Sequence, residues 1–488
     1  MDGTNFLNYS ADGSVLASDM SQNELSALRK SLTAGYGSEM NDLEGGSALR
    51  IQSLDTTLQA TVQENKHFAL FNALPKPKAT AVLDEWTEQS SIGGFLGDSF
   101  NDQDGDAAES NGQYDRRTGR VKYLTTYRKI PIVLEQQNNI ESAVALEKMN
   151  GAKQLLTSIE FSLFEGDDAV LPKSFTGIKA QIESLDSADH VIDMHGTPLD
   201  SVDPISKAAE TVFGFGNFGT LTDIYIPPSV QTDLNNHLDP AFRIALNDSP
   251  NSVMVGTAVR GIQTSFGAIN TRNDVFIRDE KLKVPFELRN QIHAATALAN
   301  AAWKPSAVSV AAAAGGADSY WQGNHAGSYT YFVTAINHNG ETPAVKATEG
   351  AITVAAGQAV TITITGAAGG QETGYVIYRS YQDAAGELKD CREMVRVAKD
   401  GATTVYVDKN REIPGTTCGY ALNLSASDHA IAWRQYLPMM MIPMAAVRSP
   451  IIPWMQMICG YLRITKRNQH VVIKNIVPHG SAWKPFKN

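Results

Sequence analysis

Three short groups of residues have types and spacings that occur in known binding sites. One is Gly214-Phe-Gly216-Asn-Phe-Gly219, which matches the GxGxxG pattern of dinucleotide-binding loops. Such a loop binds pyrophosphate when it leaves a strand and opens a helix, whose N-terminal amides meet the phosphates. Here the apolar pattern places a helix before the loop and a strand after it, so we expect a flexible loop rather than a nucleotide site.

A second group begins like a calcium-binding loop. Asp102, Asp104 and Asp106 alternate in the chain, but an EF-hand needs Gly at its sixth position and Glu at its twelfth. This chain has Ala107 and Gln113 at those positions. A mobile acidic loop tip is therefore the simpler interpretation.

The third group has the residue types of a transition-metal site. His190, Asp193 and His195 could supply three ligands, yet no fourth ligand and no i, i+4 histidine pair accompanies them. The chain also has no HExxH, GxSxG or P-loop motif. We therefore predict no catalytic residue, no cofactor and no metal, and we do not expect an enzyme.

The composition indicates a large folded chain. Its 488 residues suffice for about three domains. Hydrophobic residues make up 43% and charged residues 19%, which excludes a disordered chain. The 41 basic and 52 acidic residues leave a net charge of −11, which argues against a protein that wraps duplex DNA with its whole surface.

The spacing of the cysteines and the hydropathy of the chain indicate the compartment in which the protein folds. Cys391, Cys418 and Cys459 form neither a CxxC pair nor a disulfide framework, which favours a reducing, intracellular folding compartment. No secretory signal is legible at the N-terminus. The most apolar segment, 435–462, contains Arg448 and four prolines, so it is not expected to span a membrane.

Charge is strongly segregated along the chain. Residues 84–115 contain nine acids and no base, residues 116–134 contain six bases and no acid, and residues 429–488 contain eight bases and no acid. An acidic limb that returns as a basic strand predicts an extended hairpin. Its acidic limb could contact a basic surface of another copy. Alternatively, the acidic and basic limbs could pair with each other within the hairpin. The predicted intersubunit contacts are the acidic Asp98, Asp102, Asp104, Asp106 and Glu109, and the basic Arg116, Arg117, Arg120, Arg463, Lys466 and Arg467.

A long helix and a mixed region follow the hairpin. Six apolar residues recur at helical spacing and predict a buried stripe, with Asn138 or Asn139 as cap and Gly166 past the end. The stripe consists of Ala145, Met149, Ala152, Leu156, Ile159 and Leu163. Residues 170–300 mix helix and strand patterns, which is typical of an α+β domain.

From residue 303 the pattern changes to alternating strands. Four period-2 runs separated by glycine-rich turns predict a β-sandwich over 303–424. The runs Tyr-Thr-Tyr-Phe-Val-Thr-Ala-Ile-Asn and Gly-Tyr-Val-Ile-Tyr-Arg resemble a fibronectin type III or immunoglobulin-like module. We expect this segment to fold on its own and to lie on an outer surface.

The order of these parts resembles the major capsid proteins of tailed bacteriophages, which have the Hong Kong 97-like shell fold. The stretches that carry the resemblance are 120–129, 158–167, 175–178 and 475–477. The resemblance implies an α+β chain with six parts. These are an N-terminal arm (1–83), an extended loop hairpin (84–135), a peripheral domain with a spine helix (136–180), an axial domain (181–302), an immunoglobulin-like or fibronectin type III-like insertion (303–424) and a return to the peripheral domain (425–488).

The resemblance also implies a structural function. Copies would self-assemble as hexamers and pentamers into an icosahedral shell around double-stranded DNA, without sequence-specific binding and without a membrane. Scaffold, portal or decoration proteins would be further partners, and the shell would form in the host cytoplasm and remain in the virion. Two alternatives stay open: a phage tail or adhesin protein, and a secreted glycan-active enzyme with a fibronectin type III module.

Overall fold

The computed structural model describes residues 64–94, 99–106, 109–136, 142–185, 187–237, 259, 261–279, 303–425, 430–444, 451–481 and 483–487. Both helices and strands occur throughout these residues, which confirms the predicted α+β class. The described helices are α1 (Ala69–Ala73), α2 (Ile132–Gln136), α3 (Ala143–Glu165), α4 (Ile178–Glu183), α5 (Asp203–Phe213) and α6 (Pro228–His237).

The strands form five sheets within the described residues. In the first part of the chain they are β1 (Leu83–Ser91), β2 (Gln113–Arg120), β3 (Lys122–Pro131), β4 (Val191–Asp193), β5 (Asp223–Ile226), β6 (Gly261–Thr264) and β7 (Gly267–Asn273). They continue as β8 (Ala307–Ala314), β9 (Gly327–Asn337), β10 (Gly340–Glu341), β11 (Val345–Val354), β12 (Gln358–Thr365), β13 (Gly374–Ser380), β14 (Cys391–Ala398) and β15 (Thr403–Asp408). The last are β16 (Thr417–Leu422), β17 (Ile431–Pro443), β18 (Ile451–Ile464) and β19 (Val471–Ile476).

The long helix α3 begins at a side-chain cap and ends before a glycine. The hydroxyl of Ser142 accepts the backbone N–H of Ala145 at 3.3 Å, and Gly166 follows the last turn. The predicted caps Asn138 and Asn139 lie outside the described residues.

The buried face of α3 differs from the predicted stripe. Ile159 and Leu163 are fully buried, but Ala145 is exposed and Met149 is 47% exposed. The first half of the helix contacts the sheet on one side, through Arg128 to Glu147 and Gln456 to the carbonyl of Lys148, and its first turn bonds to Glu135 of α2. The second half is covered from several sides, so burial there extends around the helix.

The main core lies between α3 and a three-stranded sheet in the order β17-β18-β3. Trp433 on β17 is fully buried, and its indole meets the rings of Phe71 and Phe175 edge-on, with centroids 5.6 and 5.2 Å apart. Aromatic pairs in this geometry add to the hydrophobic gain of burial. Residues from α1, α3 and β17 thus share one interior.

A six-stranded mixed sheet has the order β4-β19-β16-β5-β7-β6. Helices α5 and α6 pack on it through Ile205, Val212, Val230 and Leu234. Two of its strands come from late in the chain: β16 pairs with β19 and β5, and β19 also pairs with β4. The sheet therefore joins the segment 181–302 to residues that the sequence assigned to 303–424 and 425–488.

Residues 307–408 form two antiparallel sheets that pack face to face. One has the order β10-β9-β13-β14 with β11 also on β9, and the other has the order β15-β12-β8. Tyr331 and Ile377 of the first sheet share a core with Val310 and Ile362 of the second. The sandwich strands end at Asp408, so β16 lies inside the predicted segment 303–424 but outside the sandwich.

The sandwich is not separate from the rest of the subunit. The opposite face of its larger sheet, with Phe332, Val376 and Tyr378, packs on Val170. The C-terminal Phe486 stacks on His325 at 3.9 Å between ring centroids. These contacts contradict the expectation that the segment needs nothing from the flanking chain, because the larger sheet is buried on both faces.

We predict that Ile159→Ala lowers the free energy of unfolding of the isolated subunit by about 2 to 5 kcal/mol, because it leaves a cavity in a fully buried site. Met149→Ala on the same helix is the control and should change stability by less than about 0.5 kcal/mol, since this side chain is half exposed. Urea denaturation followed by circular dichroism measures both. Equal losses in the two variants would contradict the described orientation of α3.

Candidate assembly interface

The segment 83–120 contains a two-stranded ribbon. Strand β1 pairs antiparallel with β2, from Leu83 opposite Arg120 to Ser91 opposite Gln113. Every residue of β2 except Gly119 is exposed, so the ribbon is covered on neither face over most of its length. This ribbon is the described part of the predicted hairpin, whereas residues 122–131 of the predicted basic limb form β3 and pair with β18.

The base of the ribbon is fixed by a buried carboxylate. Asp84 accepts hydrogen bonds from Nε and Nη2 of Arg434 at 2.8 and 2.9 Å and from the Tyr461 hydroxyl at 2.7 Å. Arg463 Nη1 lies 3.6 Å from the same carboxylate. Burial by itself would raise the pKa of Asp84, but these hydrogen bonds and the two guanidinium charges hold it below its usual value.

A glycine on β2 allows the hairpin to approach β18 closely. Gly119 on β2 lies directly against the ring of Tyr461, where a Cβ atom would collide with ring carbons. Asp84 and Gly119 face each other in the ladder, so one contact holds both strands. The direction in which the hairpin leaves the body is therefore set by Tyr461 and Arg434.

Arg463, predicted as an intersubunit contact, is largely used within the chain. Its guanidinium pairs with Asp84 and lies over the ring of Trp86, with 5.5 Å to the ring centroid. This position differs from the prediction because the basic C-terminal strand runs beside the hairpin base of its own subunit. Lys466 is exposed, and Arg467 donates to the Ser184 hydroxyl at 3.3 Å.

Some of the opposite charges of the two limbs pair within the hairpin. Arg116 lies 3.5 Å from Glu85, and Arg117 lies 3.5 Å from Glu88. Exposed pairs of this kind contribute only about 0 to 1 kcal/mol each. The alternative of pairing inside the hairpin therefore holds for these two pairs, while Arg120 is exposed at the end of β2.

The acids nearest the hairpin tip point into solvent. Asp102, Asp104 and Asp106 are exposed and make no ion pair with any residue that the structure describes. Glu109 is exposed as well, and its carboxylate accepts a hydrogen bond from Asn111 at 3.1 Å. Asp98 lies outside the described residues.

Apolar side chains at the hairpin were missed by reasoning from charge alone. Phe100 is 83% exposed, and Ile92 and Tyr114 are also exposed. Their signal in the sequence is the presence of large apolar residues in an otherwise acidic, glycine-rich segment. We call these three side chains and the tip acids together the hairpin surface, which combines apolar and negative groups.

The residues first considered for metal binding have structural roles. His190 is buried with Nδ1 3.1 Å from the carbonyl of His470, and Asp193 accepts hydrogen bonds from the backbone of His195 and from Asn475. Among the described residues, no group of three His, Cys, Asp or Glu could hold a metal ion. No helix in the same part of the chain is long and apolar enough to cross a bilayer.

Comparison with known proteins points to one class. A protein of Enterococcus phage phiEF24C is 24% identical over 427 residues, which cover 86% of this chain and 89% of that protein. The major capsid proteins of Staphylococcus phages S25-3 and K are 22% identical over 429 residues, with the same coverage. The predicted resemblance to phage major capsid proteins is confirmed. No family model matches the chain.

Solved structures with some likeness include further shells. The capsid of a native GTA particle is 8% identical, with a TM-score of 0.46 over 90% of this chain and 99% of that chain. The SrpI encapsulin of Synechococcus elongatus PCC 7942 is 8% identical, with a TM-score of 0.39 over 91% of this chain and 99% of that chain.

We predict that Asp84→Asn destabilises the isolated subunit by about 3 kcal/mol at neutral pH, because it leaves Arg434 partly buried beside an uncharged group. Asp102→Asn at the exposed tip is the control and should have no measurable effect. Chemical denaturation at several pH values measures both.

The pH dependence of this difference has a defined sign. Since folding lowers the pKa of Asp84, its contribution is complete above the ordinary carboxyl pKa and is lost as the pH falls through the lower, folded value. The difference between wild type and Asp84→Asn should therefore shrink below about pH 4. A difference that stays constant down to pH 2 would contradict the described ion pair.

Proposed function

We propose that this chain is the shell-building subunit of a phage capsid and that its hairpin surface packs on a neighbouring copy. The observation that carries the proposal is a ribbon whose strand β2 is exposed at every residue except Gly119, together with the exposed side chains of Ile92, Phe100 and Tyr114. A two-stranded ribbon has little stability by itself in water. Large apolar side chains exposed on such an element favour an interaction site.

The outer face of the sheet β17-β18-β3 is a suitable acceptor for the hairpin surface. Thr126 and Arg128 on β3 contact Gln154 of α3, so the alternate residues Tyr123 and Tyr127 point away from the helix. Both tyrosines are exposed. The acceptor face therefore starts from two aromatic side chains that the subunit itself leaves uncovered.

Neighbouring strands extend this apolar face. Met455 on β18 lies opposite Tyr127 on one side and Ile442 of β17 on the other, and Met440 in the next row is exposed. Methionine side chains adapt to differently shaped partners. The exposed Lys129 on the same face of β3 adds positive charge, which complements the acidic tip of a second copy.

The finer parts of the proposal follow the resemblance. Copies associate as hexamers and pentamers in a Hong Kong 97-like shell around double-stranded DNA, assembled in the host cytoplasm and carried in the virion. Scaffold, portal or decoration proteins are further partners, and the chain has no enzymatic activity. Within the proposed domains, the immunoglobulin-like insertion ends before β16, because that strand pairs with β5 and β19.

Electron microscopy tests the function directly. Negatively stained, purified full-length protein should show shells or ring-shaped capsomers across a range of protein concentrations. A monomer under all conditions that support assembly would overturn the proposed function. Trimeric fibres would instead favour a tail or adhesin protein.

We predict that neutralising the tip with Asp102→Asn, Asp104→Asn and Asp106→Asn slows assembly at low salt, because the hairpin surface loses its attraction to a basic neighbour. Lys129→Gln should also slow it, because this variant removes the positive charge from the acceptor face of β3. Both effects should diminish as salt rises, since exposed charges more than about 8 Å apart are largely screened at physiological ionic strength. Light scattering across a salt series follows the rate.

A charge-matched control separates this contact from a general effect of net charge. Asp318→Asn, Glu387→Gln and Asp400→Asn remove three exposed acids from the sandwich and should leave the rate within about twofold of wild type. Equal slowing by the tip triple and the sandwich triple would refute a specific contact at the tip. Arg463 is excluded from the variants because its loss would disturb the hairpin base.

A further inference from the structure

The loop between α5 and β5 presents three phenylalanines to solvent. Phe215 is 99% exposed and Phe218 is 72% exposed, and Phe213 at the end of α5 is exposed as well. We call these three residues the phenylalanine loop. The GxGxxG pattern of the sequence lies here, and the structure places it after a helix and before a strand.

The backbone of this loop is held in place by hydrogen bonds. Asn217 donates from Nδ2 to the carbonyl of Thr211 at 2.7 Å, and its own carbonyl accepts from Gln469 at 3.2 Å. Asn468 donates to the carbonyl of Gly216 at 3.1 Å. The sequence predicted a flexible loop, but a turn from the C-terminal part of the chain holds it on one side.

The conformation of Phe218 is also unusual. Its φ of 47° lies in the left-handed region, which a bulky side chain occupies at a cost of about 1 to 3 kcal/mol. The rings of Phe218 and Phe215 meet edge to face, with centroids 5.6 Å apart. The hydrogen bonds to Asn468 and Gln469 therefore offset this strain and hold an aromatic pair outside the subunit rather than in its core.

Charge indicates which partner fits. Residues 211–222 contain no Lys, Arg, Asp or Glu. Nucleic acid is a poor partner, because binding to its backbone requires cations that neutralise phosphates. Around a rotation axis, identical residues of neighbouring copies meet. They repel each other when they are charged and pack together when they are apolar, so a second copy of this loop is a suitable partner.

We propose that the phenylalanine loop packs against the same loop of neighbouring copies and forms an apolar contact around a symmetry axis of the assembly. This contact is distinct from the hairpin surface. It rests on the proposed function only in that the chain must associate with further copies of itself. Aromatic residues at the centre of an interface usually carry a large share of its affinity.

Two variants of the full-length protein test the contact. Phe215→Ser with Phe218→Ser should raise the protein concentration needed for assembly at least about tenfold, while circular dichroism and the melting temperature stay as in wild type. Phe100→Ser at the hairpin is a matched removal of an exposed phenylalanine. It tests the hairpin surface and not the loop.

Crosslinking then identifies the partner of the loop. Phe215→Cys in assembled particles should form disulfides between copies under mild oxidation, whereas Ser309→Cys, exposed on the sandwich, should not. The natural Cys391 and Cys459 are buried, Cys418 is partly buried, and burial raises the pKa of all three thiols, so they add little background. Crosslinks of Phe215→Cys to a different protein, or none between copies, would overturn the proposal.

The outcomes separate this inference from the proposed function. If wild type forms shells while Phe215→Ser with Phe218→Ser assembles at the same concentration, the loop contact is wrong and the shell function stands. If wild type forms no oligomer at any concentration, both proposals fall. If the loop variant fails to assemble and Phe215→Cys crosslinks between copies, the contact is established.

Discussion

The position of the exposed hairpin depends on the ion pairs and hydrogen bonds of one buried carboxylate. Asp84 sits where β1 leaves the body, and it is neutralised by Arg434 and Arg463 and hydrogen-bonded by Tyr461. A buried charge is tolerated only when it is paired in this way. Because the pairing joins the start of β1 to two strands of the main core, the hairpin base is rigid while most of the ribbon remains uncovered.

The rest of the structure consists of cores that are buried within one chain and of apolar surfaces that are left exposed. The core around Trp433 and Ile159 is complete within one chain, and so is the sandwich, which shares its larger sheet with the body. The hairpin surface, the outer face of β3 and the phenylalanine loop are not covered within the described residues. A subunit that closes its interior but leaves rigid apolar elements outside is suited to repeated association with itself.

The sandwich packs on other parts of the chain through its larger sheet. Strand β9 buries alternate residues on opposite sides, with Tyr331 and Val333 toward the second sheet and Phe332 and Ile336 toward Val170. Arg396 on β14 lies over the ring of Phe161 on α3, with 5.9 Å between the guanidinium carbon and the ring centroid. The sandwich therefore contacts the long helix directly, as well as Val170.

Much of the fold could be predicted from local patterns. Helical spacing located α3 and its glycine end, alternation located four of the sandwich strands, β9, β12, β13 and β15, and segregated charge indicated the ribbon of β1 and β2. These signals depend on the periods of helix and strand, which are properties of the local chain. Boundaries between domains could not be predicted as well, because β16 and β19 join a sheet whose other strands come from residues 191–273.

At the hairpin and the phenylalanine loop, some features follow from the local sequence and others from contacts between distant residues. The sequence by itself determined that acids and bases lie on successive limbs, that Phe213, Phe215 and Phe218 stand in an uncharged segment, and that the chain resembles phage capsid proteins. Only the tertiary structure decided that Arg463 pairs with Asp84 of its own chain and that Asn468 and Gln469 anchor the phenylalanine loop. Those partners are separated by more than 200 residues, and no local period or charge count encodes which distant side chain will fill the space beside another.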